Sequence, residues 1–288
     1  MSALQAPIRH QVDICFVGAN SAAVAAAAAA SAAGASVMVL SERPYLGEDL
    51  TATMRLRCAS DDAPRTALAA SLFGADGSQR PSPMQAKTIF DQHLIDANVP
   101  FLYGCYGFSL LRDHTGSAAG VVLASRSGLF AVQAKILVDA TARGTLARLA
   151  GQAFTPYPSG AHVFERVVIG GEARRGAGVQ VSTDQEPVAI TLRDSTQHFA
   201  VQRYQLSIPM ADGSIDSFAQ ADLRAAQMSF HYAQQSTCDA LWQLPPDSIV
   251  PGAHHLDSWS DQAPLDAFRT SDQALWLLGP LADLSRAA

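Results

Sequence analysis

Residues 12–23 read Val12-Asp13-Ile14-Cys15-Phe16-Val17-Gly18-Ala19-Asn20-Ser21-Ala22-Ala23. An alanine-rich run then leads to Gly34, and Ala35-Ser36-Val37-Met38-Val39-Leu40-Ser41-Glu42-Arg43 follows. The order is a short apolar run, a small-residue turn, a helix, a stop, a second apolar run and an acid. It predicts a βαβ unit with a dinucleotide-binding turn. Ile14 to Val17 is the expected first strand and Gly18 the tight turn. The helix is expected to begin near Ser21, with its orphan N–H groups and positive dipole end directed at a diphosphate. Gly34 ends the helix, and Val37 to Leu40 is the second strand. Glu42 stands at about the spacing of a carboxylate that binds a ribose diol. Against the G-x-G-x-x-G pattern the chain reads Gly18, Asn20 and Ala23. Alanine suits the third position, where helix and strand pack closely. Asn20 departs at the second, where backbone approaches phosphate. Asparagine adopts unusual backbone angles more readily than most residues, so the turn is expected to survive. Asn20→Gly restores the residue the turn usually has, so it is expected to be tolerated or to improve dinucleotide affinity.

The bulk properties narrow the class. A chain of 288 residues with 48% hydrophobic content can bury a sizeable core in one or two domains. The formal net charge of −6 provides no basic footprint for nucleic acid. Cys15, Cys58, Cys105 and Cys238 show neither a C-x-x-C pair nor metal-ligand spacing. They read as reduced thiols, which predicts a cytoplasmic protein. The stretch from Ser21 to Leu40 is expected neither to span a membrane nor to form a signal-peptide core. Alanine is only weakly apolar, and Gly34 breaks the run.

Pro44 and Gly47 mark residues 43–56 as a loop, and 61–83 reads as an irregular surface excursion. Pro83 to Asn98 reads as a helix with Ala86, Ile89, Phe90, His93, Leu94 and Ala97 on one face. Short strands are expected at Val99 to Tyr103, Tyr106 to Leu111, Gly120 to Ala124, Phe130 to Gln133 and Ala134 to Asp139. An Arg126-Ser127-Gly128 turn makes a hairpin of the third and fourth. A helix is expected over Arg143 to Ala150, stopped by Gly151. From Thr155 to Thr270 the chain is more polar, with strand-like pieces at His162 to Ile169, Val188 to Leu192 and Phe199 to Ile208. A helix over Ile215 to Ala233 follows them. The apolar run Ala274 to Leu278 reads as a return to the first domain. The expected fold is therefore α/β. A Rossmann-like nucleotide domain with an inserted β-hairpin layer covers 1–154 and takes back 271–288. A second, α+β substrate or cap domain covers 155–270.

Four segments carry a resemblance: Val17 to Ala23 with Glu42; Arg43 to Asp49 with Thr51 to Leu56; Ile136 to Gly151; and Leu275 to Arg286. Together they resemble FAD-dependent oxidoreductases of the glutathione-reductase-like type, with the fumarate-reductase-like flavoproteins nearest. The resemblance implies FAD as cofactor. It implies that Gly18, Asn20, Ser21 and Ala22 cradle the diphosphate, that Glu42 binds the adenosine ribose and that Arg43 lies over the adenine. Gly47, Glu48 and Asp49 would run beside the ribityl chain and flavin, with Arg55 also among the cofactor contacts. Tyr106 and Gly107 would meet the adenine edge through backbone, and Ala140 and Thr141 would face the diphosphate. Gly279 and Asp283 would approach the ribityl chain and flavin. Three positions depart from the family: Asn20 replaces glycine, Ala142-Arg143 replaces a glycine, and Pro280 follows Gly279 where an acid is usual. Members also continue past the position of Ala288 with a helix aimed at the flavin. This predicts that the C-terminal end packs against another polypeptide, in a homo- or hetero-oligomer, or against the rest of its own gene product if the chain is a fragment.

The resemblance implies hydride transfer between a small organic substrate and flavin. Two alternatives stand beside it: a flavin-fold subunit active only in complex with another chain, and an NAD-dependent reductase using the first βαβ unit alone. No catalytic residue is singled out. Arg55, Arg57, His162, Arg166, His198 and Arg203 are candidates by location, each with a structural role as the plainer expectation. His93 is expected at a helix edge, Cys58 as a small apolar filler, and Tyr204 and Tyr232 in core or interface. His254 and His255 are adjacent in a loop, point apart and have no third ligand nearby, so no metal is expected.

Overall fold

The computed structural model describes residues 6–58, 64–154, 156–184, 186–192, 195–244 and 268–278. Strand β1 (Ile8–Val17) is longer than its apolar end. Residues 8–11 are exposed, and only Cys15, Phe16 and Val17 are buried. Hydrophobicity therefore marked Ile14 to Val17 alone, because backbone pairing continues where burial has stopped. Helix α1 (Ser21–Ala32) follows, with Asn20 as N-cap and Ala23, Val24 and Ala27 buried against the sheet. Strand β2 (Val37–Leu40) is buried throughout and runs parallel to β1, pairing Cys15 with Met38 and Val17 with Leu40. Burial on both faces explains its unbroken apolar sequence.

The loop after β2 contains a single helical turn, α2 (Glu48–Thr51). The segment expected to be irregular holds a helix, α3 (Ala67–Phe73). Thr66 caps it by accepting from Ala69 N at 3.1 Å, and Leu68, Leu72 and Phe73 are buried. A threonine cap followed by Leu68 and Leu72 at i, i+4 spacing was the missed signal. Helix α4 (Pro83–Asp96) starts with a Ser82–Gln85 capping box and buries Ala86, Phe90 and Leu94. His93 is half-buried on it.

Strands β3 (Phe101–Leu102), β4 (Tyr106–Arg112), β5 (Ala118–Ser125) and β6 (Gly128–Asp139) come next. The two strands expected between Phe130 and Asp139 are one. Gln133 and Lys135 do not interrupt it; they alternate onto its exposed face while Ala134 stays buried. The hairpin turn at residues 126–127 joins β5 to β6, and Ser125 pairs with Gly128. Helix α5 (Thr145–Leu149) is shorter than expected, because Gly144 takes a left-handed conformation at its N-cap.

After residue 155 the elements are β7 (Gly160–Gly170), β8 (Val179–Thr183), β9 (Val188–Leu192), β10 (Ser195–Phe199), β11 (Val201–Met210), α6 (Ile215–Ser229), β12 (Gln234–Thr237) and β13 (Trp242–Leu244). Strands β12-β7-β11-β8 form an antiparallel sheet to which β13 adds on β7. Alternate residues Tyr204, Leu206, Ile208 and Met210 of β11 are buried with Phe164 and Val168 of β7 and with Ala221 and Ala225 of α6. Strands β9 and β10 form a separate hairpin. Strand β14 (Leu275–Leu277) then pairs parallel with the C-terminal half of β6, Leu275 facing Leu137. The first sheet thus has the order β3-β2-β1-β6-β5-β4, with β14 also on β6. It is parallel from β3 to β6 and antiparallel from β6 to β4.

The chain divides into two compact units: Met1–Leu50, Leu56–Thr155 and Ser248–Ala288; and Thr51–Arg55 with Pro156–Asp247. The second unit takes in Thr51–Arg55, which the sequence placed in a loop of the first domain. Within that unit, Asp239 N and Ala240 N both donate to Ala52 O, at 2.7 and 3.0 Å. His254, His255, Gly279 and Asp283 lie outside the described residues. Among the described residues no helix is long and apolar enough to cross a membrane.

Candidate functional site

The carboxyl ends of β1, β2 and β6 meet at one edge of the first unit. Crevices of this kind, beyond the ends of parallel strands, are where open α/β sheets bind ligands. Gly18 leaves β1 at φ +92°, and a Cβ there would lie 2.3 Å from the Ala140 carbonyl carbon. Gly18 N donates to Leu40 O at 2.8 Å and Ala140 N to Val17 O at 2.7 Å, which ties the three strand ends together.

Asn20 does not take an unusual backbone angle; its φ is −65° and its ψ is 168°. Its side chain does the work. Oδ1 accepts from Ala23 N at 2.8 Å, and Nδ2 donates to Ala140 O at 3.0 Å. Both contacts are buried, so the expectation that Asn20→Gly is tolerated is replaced. Glycine would leave the fully buried Ala140 carbonyl without this donor, and Asn20→Gly is expected to cost about 2 kcal/mol of stability. Urea unfolding of both proteins checks it; an unchanged midpoint contradicts it.

Ser21 opens α1, and both its donors are used. Its amide donates to Asp49 Oδ1 at 2.7 Å and its hydroxyl to Asp49 Oδ2 at 2.5 Å. Gly47 brings Asp49 into position. Its φ is +66°, its amide donates to Ala19 O at 2.7 Å, and a Cβ on it would lie 2.0 Å from the Phe90 ring. Ala22 is exposed at the mouth of the turn.

Glu42 sits just past β2. Burial raises its pKa and Asp139 raises it further, against the pull of Arg43 and a side-chain hydrogen bond with Thr145. Arg43 Nε lies 4.0 Å from Glu48 Oε2. Asp139 is fully buried at the end of β6. It accepts from Thr141 N at 3.1 Å, Thr141 Oγ1 at 2.7 Å and Ala147 N at 2.8 Å. Ala140 and Thr141 are buried beside it. Gly107 lies against Thr145, where a Cβ would stand 3.1 Å from Cγ2, while Tyr106 is exposed.

The sequence reading passed over Asp139 and Thr145. Asp139 reads in the sequence as a strand boundary, although Asp-Ala-Thr before a helix is itself a capping signal. Arg55 belongs to the other unit, where its Nε lies 3.5 Å from Glu165 Oε2 and its guanidinium 4.2 Å from the centre of the Trp242 ring.

Four carboxyl groups thus share the edge. Burial raises the pKa of Glu42, Asp49 and Asp139. Glu48 is pushed up to about 7, by burial first and then by Glu42 and Asp49. Between its ordinary value of 4.5 and about 7, the folded chain holds a proton at Glu48 that the unfolded chain has released. Stability from this group is complete below 4.5 and lost as pH rises to about 7. The difference in unfolding free energy between Glu48→Gln and the parent should grow by about 3 kcal/mol across that window, in favour of the variant. Denaturation at a series of pH values tests this, and a constant difference rejects it.

The other candidates have structural surroundings. His162 Nε2 contacts Pro158 O at 2.8 Å, and its ring stacks on Tyr157. Arg203 Nε donates to both oxygens of Asp184, at 2.8 and 3.0 Å. Tyr204 is core and accepts from Arg174 N at 2.9 Å, whereas Tyr232 is 85% exposed rather than core. His198 is exposed on β10 and Arg166 is half-buried on β7. Cys58 is half-buried and in no disulfide.

A dinucleotide needs donors for its diphosphate and an acceptor for its ribose diol. The βαβ frame, the α1 N-terminus and the position of Glu42 fit that need. One feature stands against it, the Asp49 carboxylate on Ser21.

Residues 13–259 match the family described as FAD dependent oxidoreductase. Among solved structures the chain is similar to CabE, an aromatic hydroxylase from angucycline biosynthesis, at 15% identity and a TM-score of 0.53. It is also similar to BexE, studied for oxidation during BE-7585A biosynthesis, at 14% and 0.53, and to the anhydrotetracycline hydroxylase OxyS from Streptomyces rimosus, at 15% and 0.50. Each alignment covers 94% of this chain and 56% of the other, so the chain spans little over half the length of these structures. At such identities the likeness is one of fold. No curated protein matches the chain.

Proposed function

The chain belongs to the family of FAD dependent oxidoreductases, and from that premise we propose that it binds FAD at the β1–β2–β6 edge and exchanges a hydride with a small organic substrate. Within that family we place it with the glutathione-reductase-like, fumarate-reductase-like flavoproteins. The observation that carries the reading is the Glu42 carboxylate, standing just past β2, near Asp139 and held by Thr145. In this reading Glu42 accepts from the adenosine ribose hydroxyls, and the α1 dipole and the amide of Ala22, an exposed residue, face the diphosphate. Asn20 holds the turn to Ala140 and so fixes where that amide points. When bound, the flavin supplies a two-electron acceptor or donor. Four cysteines that form no disulfide support action in a reducing cytoplasm.

Titrating FAD into the protein, followed by flavin fluorescence, tests the assignment. Saturable binding is expected, with Glu42→Ala weaker by about 1–3 kcal/mol because the ribose hydroxyls lose a partly buried acceptor. A protein that stays colourless and takes up no added FAD overturns the proposal. Equal affinity in the variant removes Glu42 from the site.

A further inference from the structure

A diphosphate docking at the start of α1 would need N–H donors, and little of the first turn is open. Ser21 gives its amide and its hydroxyl to the two oxygens of Asp49, at 2.7 and 2.5 Å. Ala23 N is taken by Asn20 Oδ1 at 2.8 Å and Val24 N by Asn20 O at 3.1 Å. A carboxylate in this position offers what a phosphate offers, two negatively charged acceptor oxygens facing a helix N-terminus. Asp49 is not there by chance of rotamer alone. Gly47, with its left-handed backbone and its amide on Ala19 O, turns the chain so that α2 presents Asp49 to Ser21. The surrounding charge adds to the conflict: Glu42, Glu48 and Asp139 lie on the same edge. Arg43, 4.0 Å from Glu48, is the cation that offsets them among the groups acting on Glu42 and Glu48.

We infer that Asp49 competes with the diphosphate of FAD for the two donors of Ser21, so that the chain binds FAD more weakly than its βαβ frame allows. The inference rests on the FAD reading given above. For the diphosphate to reach Ser21, the Asp49 carboxylate must leave it or share it as the neutral acid. In either case one anion is exchanged for another on the same dipole, and the affinity reports the difference between them. Asp49 is thereby a determinant of cofactor affinity, placed by a loop 28 residues along the chain from Ser21.

The test uses the full chain with Asp49→Asn and Asp49→Ser. Asparagine keeps an oxygen for the Ser21 amide but removes the charge; serine shortens the group as well. FAD is titrated by fluorescence, and ADP and adenosine by calorimetry. Both variants are expected to bind FAD and ADP roughly tenfold tighter, the size of a charge effect at a helix terminus, with adenosine affinity unchanged. Unchanged or weaker binding of both diphosphates overturns the inference. If ADP tightens while no form binds FAD, the competition stands and the FAD reading falls. If FAD binds the parent and both variants equally, the FAD reading stands and the competition falls. Binding of neither diphosphate to any form overturns both.

Discussion

Gly18→Ala is expected to lower the stability of the first unit by about 4 kcal/mol, enough to leave much of the protein insoluble. Two effects combine. A residue with a side chain is strained at φ +92°, and the new Cβ would lie 2.3–2.4 Å from Ala140 C, Ala140 O and Thr141 N. All three are backbone atoms of the turn after β6, so no side chain can swing aside. Moving that turn would break the Ala140 N to Val17 O hydrogen bond at 2.7 Å. Gly34 provides the control. Its φ is +91°, but a Cβ there meets nothing within 4 Å. Gly34→Ala should therefore show the backbone strain alone, about 1–2 kcal/mol. Urea unfolding of the two variants separates the terms, and equal losses would mean that the clash is absorbed.

Asp139→Ala should have a comparable effect for a different reason. One carboxylate serves the amide and hydroxyl of Thr141 and the amide of Ala147, and so folds the turn after β6 and caps α5. Alanine would leave these buried donors unmatched, at about 3–5 kcal/mol in total. Asp139→Asn should cost less, about 1–2 kcal/mol, since one oxygen is kept while the new amide faces donors. Burial raises the Asp139 pKa despite its hydrogen bonds, so folding favours its neutral acid. The order alanine worse than asparagine, measured by chemical denaturation, is the check. The reverse order would show that an amide turned toward these donors costs more than leaving them unmatched.

What was legible in the sequence was local. The α1 and β2 bounds followed from the turn, the alanine run and Gly34, and α4 announced itself through a 3.6-residue apolar face that starts after Pro83. Helix α3 was missed because an abundance of polar residues around it outweighed one cap and two leucines. β6 was split because Gln133 and Lys135 look like an interruption until their shared exposed face is seen. The site shows the same division. Gly18 and Glu42 were readable because the motif that contains them is a continuous stretch. Asn20 was read for its backbone, whereas its side chain holds Ala140, 120 residues away. No spacing rule could place Asp49 on Ser21, since that contact depends on how Gly47 turns over Phe90.

Strand β6 is flanked on one side by β1 and on the other first by β5 and then by β14. The partner for its last three residues is encoded far downstream, after the whole second unit. During synthesis at about 5–20 residues per second, roughly seven to twenty-eight seconds pass between the emergence of β6 and that of β14 from the ribosome. Through that interval the backbone of Leu137 to Asp139 is an open docking slot for any extended chain nearby. A nascent polypeptide with such a slot is a natural client for chaperones that hold strand edges, and slow translation of the second half should raise the fraction lost to aggregation.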